Sequence, residues 1–237
     1  MAEPPVVTEE LSHDPERDPR ILEITELLCQ QLGVTGYHPT FVSWQVYSYQ
    51  SRPSAPQRRQ VFPPDDCMLE RYCVTLSGWV RGQLEPDEWK PIIASSIIFS
   101  KKLRRRTFYG FLIPAILFIA LAVGVMLEFP LLFPQPFTSN TSSGQYTVPV
   151  GQTIGNFLGL ILGFMGPILT GTVLARRTRL LADEKAADLV GTGLFLSTLR
   201  KIADLTGPRW RRGGMAKPFP LLPSLPRRIA RLEQYQE

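Results

Sequence analysis

Two long apolar segments without charge constrain the fold of this chain more than any other feature. Residues 107–127 read TFYGFLIPAILFIALAVGVML, and residues 154–175 read IGNFLGLILGFMGPILTGTVLA. A helix of about 20 apolar residues is long enough to span a hydrocarbon core of about 30 Å. We therefore predict two transmembrane helices, at residues 107–127 and 154–175, in preference to two buried helices of a soluble protein.

The distribution of basic residues predicts how this hairpin is oriented. Basic residues flank the two segments on their outer sides: Lys101, Lys102, Arg104, Arg105, Arg106, Arg176, Arg177 and Arg179. The connecting residues 128–153 contain neither Lys nor Arg. Because Lys and Arg are enriched in cytoplasmic loops, both flanks are predicted to be cytoplasmic and to lie at the membrane surface. The sequence thus predicts a two-pass integral membrane protein with cytoplasmic termini and the lipid bilayer as a partner.

Glycines recur at every fourth position of the second segment and just before it: Gly151, Gly155, Gly159 and Gly163. On a helix they form one stripe, and small residues let another membrane helix approach closely. The stripe can serve packing within the hairpin, a homo-oligomer or another membrane protein. Neither segment contains an ionisable residue, which argues against a transport pathway through the hairpin.

Charge and cysteine content exclude several other classes of protein. The net charge is only +5 over 237 residues, and the basic residues adjoin apolar spans, so a nucleic-acid partner is not expected. The three cysteines have no CxxC spacing, which excludes a zinc ribbon and a disulfide framework and favours buried thiols. Residues 1–19 are acidic and rich in proline, so we predict a disordered tail.

The remaining segments predict a small domain of helices and strands. Apolar periodicity predicts a helix at 21–32, strands at 40–49 and 70–76, and a short helix at 77–84. Residues 51–66 read as a loop, and a helix that begins at Pro86 runs toward the membrane. After the second span, a helix at 179–202 is broken near Gly191 and Gly193, and a short amphipathic helix closes the chain.

Two adjacent serines in the helix before the membrane call for an explanation. Ser95 and Ser96 lie in the apolar run IIASSIIF. One interpretation is a helix packing site, because serine lets backbones approach closely. A serine nucleophile is not expected, because no histidine or lysine lies close enough in sequence to act as its base.

Two motifs after the second span carry a family resemblance. The segment ADEKAADLVG contains ExxAD, formed by Glu184 and Asp188, and LPSLPRRIARLE matches HPxxxxRIxxL except that Leu222 replaces the histidine. With the order of the predicted elements, these motifs resemble the HtpX and CAAX-prenyl-protease family of membrane zinc metallopeptidases. The resemblance covers roughly residues 20–237, and Arg228 matches the arginine of the closing motif.

The resemblance implies that the metal site is degenerate. Aligning Glu88 with the family's glutamate before HExxH puts Ser95 and Phe99 at the histidine positions and Ser96 at the glutamate position. A zinc peptidase needs three protein ligands, an open position for water and a base near that water. Of the family's set only Glu184 remains, with Asp188 as its companion. No catalytic residues and no bound metal are therefore expected.

The fold class implied by this resemblance is an α+β membrane protein. A mainly helical, gluzincin-like peptidase domain with a small sheet, at residues 20–106 and 176–237, would be interrupted by the transmembrane hairpin. The corresponding function is that of an inactive pseudo-peptidase that binds membrane partners as a scaffold or assembly subunit. One alternative is an active metallopeptidase with a non-standard zinc site. Another is an unrelated membrane-anchored domain whose basic segments touch anionic lipid.

Overall fold

The chain forms two compact units. A computed structural model describes residues 17–49, 59–132, 136–141, 144–211 and 223–236. The first unit comprises Met1–Leu103 and Thr178–Glu237, and the second comprises Arg104–Arg177. Of the predicted tail, residues 1–16 lie outside the described residues. Its last two residues, Asp18 and Pro19, belong to the first helix, because proline in the first turn suits a helix start.

The first unit is mainly helical. Its helices are α1 (Asp18–Gln31), α2 (Lys90–Ile97), the last part of α4 (Val150–Val190), α5 (Thr192–Arg211) and α6 (Leu225–Gln236). The predicted break between α4 and α5 is confirmed at Gly191, whose φ of +93° favours glycine. The short amphipathic helix at the end of the chain is also confirmed, and it buries Leu232.

A three-stranded sheet lies in the first unit, with strand order β1-β5-β4. Strand β1 (Phe41–Gln45) runs parallel to β5 (Cys73–Ser77), and β4 (Cys67–Leu69) is antiparallel to β5. The predicted strand at 40–49 is two strands, because β2 (Tyr47–Tyr49) pairs instead with β3 (Arg59–Val61).

Residues 51–66 were predicted to be a loop, and this prediction is wrong for β3. The sequence did not predict β4. Both strands have only three residues, which is too short for a readable alternation of apolar and polar residues.

The core of this unit lies where the sheet meets α1, α2 and α5. Every residue of α2 from Pro91 to Ile97 is buried. The rings of Trp44 and Trp89 meet edge to face with centroids 5.7 Å apart. The indole nitrogen of Trp44 donates a hydrogen bond of 3.0 Å to buried Asp18, which ties α1 to the sheet. The fold thus surrounds α2 with apolar side chains, so a polar group on α2 needs a partner inside the core.

The chain enters and leaves α2 through two non-α turns. A 3-10 turn at Pro86–Trp89 begins with a capping box, in which the Glu85 backbone nitrogen donates to the Glu88 carboxylate at 2.7 Å. The ammonium of Lys201 on α5 lies 2.6 Å from the same carboxylate. A π-helical turn follows at Ile98–Lys102, so the predicted helix toward the membrane is not a single α-helix.

The second unit consists of two long helices and a strand pair. Helix α3 spans Arg104–Leu132, and α4 begins at Val150. Both are long and apolar enough to cross a membrane. Between them, β6 (Pro136–Thr141) pairs with β7 (Gly144–Pro149), within the segment predicted to be a loop.

The glycine stripe of α4 packs against α3 within the same hairpin. A Cβ added at Gly155 would lie 2.8 Å from the Cβ of Phe129. A Cβ added at Gly159 would lie 2.6 Å from Met126 Cγ and 2.9 Å from the backbone oxygen of Ala122. Gly151 is buried as well. Of the uses left open by the sequence, the described contacts support packing within the hairpin.

Replacing Gly159 with alanine should loosen the hairpin, because the new methyl group would clash with a backbone oxygen that cannot rotate away. We expect the free energy of unfolding to fall by about 1–3 kcal/mol, which is typical of overpacking. Thermal unfolding in detergent measures this change. Gly163→Ala is the matched control, because its Cβ would lie 3.5 Å from Ala122 Cβ, an ordinary contact. Equal losses in both variants would contradict this packing.

Candidate functional site

The two serines of α2 face a buried polar cluster. Ser95 is 0% exposed and Ser96 is 3% exposed, and each is bonded to an acidic or basic side chain from a distant part of the sequence. The cluster is made of these serines with Asp65, Asp66, Arg179, Asp183 and Arg228. We call it the Ser–Asp–Arg cluster.

Ser95 belongs to the half of the cluster centred on Asp183. The Ser95 hydroxyl donates to Asp183 Oδ1 at 2.5 Å. Arg228 Nε and Nη2 donate to the two oxygens of the same carboxylate, both at 2.8 Å. Arg228 Nη1 also donates to Asp65, at 2.8 Å to Oδ2 and 2.7 Å to its backbone oxygen. Such bidentate pairing fixes the arginine geometry, and α6 is thereby tied to α4 and to the loop before β4.

Ser96 belongs to the half centred on Arg179. Arg179 Nη1 and Nη2 donate to the Ser96 hydroxyl at 3.3 and 3.2 Å, and Nη2 donates to Asp66 Oδ1 at 2.8 Å. The guanidinium also lies over the Phe99 ring, 5.4 Å from its centroid. Burial raises the pKa of the Asp66 carboxyl, and the charge of Arg179 opposes that rise.

Helix periodicity explains why Arg179 and Asp183 reach the cluster together. They lie four residues apart on α4, and Ala182 and Ala186 on the same side are fully buried. The small alanines let α4 come close to its neighbours. The helical spacing of Ala182 and Ala186 with Arg179 is the sequence signal that could have identified Asp183 as a residue facing the core.

The predicted ligand position Glu184 does not face the serines. Its Oε1 accepts a hydrogen bond from Arg231 Nε at 2.7 Å, and Asp188 accepts one from the Tyr235 hydroxyl at 2.9 Å. Both partners lie on α6, which covers this side of α4. The structure therefore brings Asp183 to Ser95, one residue before the predicted ligand, and it brings Arg228 to Asp183 and Asp65.

No protein-family model, no curated protein and no solved structure matches this chain. The geometry of the cluster itself is thus the basis for its chemistry. Serine hydroxyls are poor zinc ligands at neutral pH, and Phe99 cannot bind a metal. Both oxygens of Asp183 already accept from Arg228, and two guanidinium groups supply the positive charge that a metal ion would otherwise bring.

The donor set therefore does not fit a zinc ion. Within the described ranges, no three His, Cys, Asp or Glu side chains come together as a group that could hold a metal. The cluster can hold helices together and position side chains, and each of its carboxylates is paired with an arginine.

The cysteines do not offer a substitute ligand set. All three are buried and free, and burial is the largest cause of a raised thiol pKa at Cys29, Cys67 and Cys73. A thiol that stays protonated is neither a nucleophile nor a metal ligand.

We expect the three thiols to resist alkylation in the native protein. With a maleimide reagent at pH 8, mass spectrometry should find the folded protein unlabelled and the denatured protein labelled at all three cysteines. Rapid labelling of Cys67 in the folded protein would contradict its burial, because Cys67 is only 5% exposed.

The basic residues predicted at the membrane surface have different environments. Arg179 is 1% exposed inside the cluster, so the structure does not place it where lipid headgroups could reach it, which corrects that expectation. Lys101 donates to the Tyr37 hydroxyl and lies 3.9 Å from its ring centroid. Lys102 and Arg177 are exposed. The side chains of residues 104–106 lie outside the described part of the structure.

Proposed function

We propose that this chain is a membrane-anchored, non-catalytic relative of the membrane zinc metallopeptidases that binds a membrane partner as an assembly or scaffold subunit. The observation that carries the proposal is the Ser–Asp–Arg cluster at the positions that correspond to HExxH in the resemblance. At that site both carboxylate oxygens of Asp183 already accept hydrogen bonds from Arg228. We also propose that the first unit is a gluzincin-like peptidase domain whose metal-binding residues have been replaced.

The proposal includes insertion of α3 and α4 into a membrane with both flanks on the cytoplasmic side. Length, apolarity and the absence of basic residues between the spans support it. We expect the protein to stay in the membrane pellet after alkaline carbonate extraction and to be released by detergent. Release by carbonate alone would contradict insertion.

Buried polar clusters that fix a unique fold are suited to a structural role. Breaking one side of a buried ion pair is costly, so the two halves of the first unit are held in one arrangement. A rigid cytoplasmic domain attached to a helical hairpin can present a surface to another protein at the membrane. Because such binding needs no hydrolysis, it should not depend on Glu184.

The test is quantitative co-purification of the full chain from its native membrane in mild detergent. We expect one membrane protein at a fixed ratio to the chain, and the same ratio with the Glu184→Gln variant. The alternative of an active metallopeptidase predicts cleavage activity that Glu184→Gln abolishes. A solitary monomer that retains no partner would contradict the proposed function.

A further inference from the structure

A pocket in the first unit places two lysines beside apolar side chains. Its volume is about 320 Å³, and its lining residues are Leu32, Ile98, Lys102, Lys185, Asp188 and Leu189. They come from the end of α1, from the π-helical turn and from α4. None of them belongs to the Ser–Asp–Arg cluster.

The π-helical turn contributes both an apolar and a basic side chain to this pocket. The Leu103 backbone nitrogen donates to the Ile98 oxygen at 2.9 Å, the bond that closes the widened turn. Ile98 and Lys102 reach the pocket, while the intervening Lys101 is held by Tyr37. Single π-helical turns occur frequently at functional sites.

The two pocket lysines lack anionic partners in the part of the chain that the structure describes. Lys102 and Lys185 are exposed, and neither forms an ion pair there. The third charged group, Asp188, accepts a hydrogen bond from Tyr235. Two ammonium groups against one carboxylate leave the pocket with an excess positive charge, which favours an anion.

The apolar lining and the place in the chain indicate which anion fits. Leu32, Ile98 and Leu189 offer carbon surface that a fully hydrated inorganic ion does not need. Lys102 lies two residues before α3 begins, so the covalent chain holds it within about 8 Å of that helix. If α3 crosses a bilayer as proposed above, Lys102 lies at the level of the lipid headgroups.

We propose that this pocket binds the phosphate of an anionic phospholipid, with Lys102 and Lys185 as the phosphate ligands and the apolar lining against the glycerol and acyl ester region. Each ammonium group donates to a phosphate oxygen, and the binding is reversible and non-covalent. The inference rests on the proposed membrane insertion.

The test uses the full chain in detergent micelles and measures bound lipid by native mass spectrometry. The probes are phosphatidylglycerol, phosphatidylcholine with the same acyl chains, and inorganic phosphate. We expect the wild type to retain phosphatidylglycerol, and the double variant Lys102→Gln, Lys185→Gln to bind it about 30-fold more weakly.

The matched control is the double variant Lys90→Gln, Arg227→Gln, which removes the same charge from the first unit away from the pocket. It should bind phosphatidylglycerol like the wild type. Equal retention of phosphatidylglycerol by both double variants, or equal retention of phosphatidylcholine and phosphatidylglycerol by the wild type, would overturn the proposal. Inorganic phosphate that competes as strongly as the lipid would reassign the pocket to free phosphate.

Carbonate extraction separates failure of this inference from failure of the proposed function. A protein that remains in the membrane pellet but shows no effect of the two lysines refutes the lipid pocket alone. A protein that carbonate releases removes the basis for both.

Discussion

Removing the Asp183 carboxylate should strongly destabilise the first unit. Asp183→Ala would leave the Arg228 guanidinium with one of its two carboxylate partners inside the protein, where both Asp183 and Arg228 side chains are at most 2% exposed. It would also leave Ser95 without its acceptor. We expect the free energy of unfolding to fall by about 3–5 kcal/mol, because a buried guanidinium loses a charged partner that accepts two of its hydrogen bonds.

The matched control is the neighbouring acid. Glu184→Gln should cost less than about 1 kcal/mol, because its partner Arg231 is 51% exposed and water can replace the lost bond. Thermal unfolding in detergent, followed by near-ultraviolet circular dichroism, measures both. For a unit of this size, the midpoint temperature of unfolding should fall by about 6–20 °C in the Asp183→Ala variant. A larger fall in unfolding temperature for Glu184→Gln than for Asp183→Ala would contradict this account, because Glu184 would then be the acid that stabilises the cluster.

The second large effect is expected at Arg228, which joins α6 to the rest of the unit. Arg228→Met would leave Asp183 and Asp65 without their shared arginine, and we again expect a loss of about 3–5 kcal/mol. Arg231→Met, on the exposed side of α6, is the control and should cost less than about 1 kcal/mol. Both variants keep a long unbranched side chain, so that packing changes little.

A double-mutant cycle separates the ion pair from the packing of each residue. The double variant Asp183→Ala, Arg228→Met removes both charges, so its loss of stability should be smaller than the sum of the losses in the two single variants. We expect a coupling energy of about 1–3 kcal/mol, as for residues in one buried network. Strictly additive losses would show that the two side chains do not interact in the folded protein.

The sequence predicted the features that depend on local pattern. The apolar middle parts of α3 and α4 follow from runs that are long and free of charge, although α4 continues without a break into the helix predicted at 179. The break at Gly191 follows from a residue that tolerates positive φ. The start of the helix at Pro86 also follows, because its capping box uses neighbouring residues.

The cluster could not be predicted from motifs because it depends on which side of α4 faces α2. Successive residues on a helix differ in direction by about 100°. A shift of one position therefore turns Glu184 toward Arg231 and Asp183 toward Ser95. Asp65 and Asp66 come from a loop whose path depends on the short strands β3 and β4, and those strands have no readable pattern.

The central claim is that Ser95, Ser96 and Asp183 belong to an ion-pair cluster and not to a metal site, at positions that we propose correspond to the metal site of a peptidase. Metal content of the detergent-purified full chain, measured by mass spectrometry beside the Glu184→Gln variant, tests it most directly. We predict no stoichiometric zinc in either protein, even after purification in buffers supplemented with zinc. About one zinc per chain in the wild type, lost in Glu184→Gln, would contradict the account and make an active peptidase the better explanation.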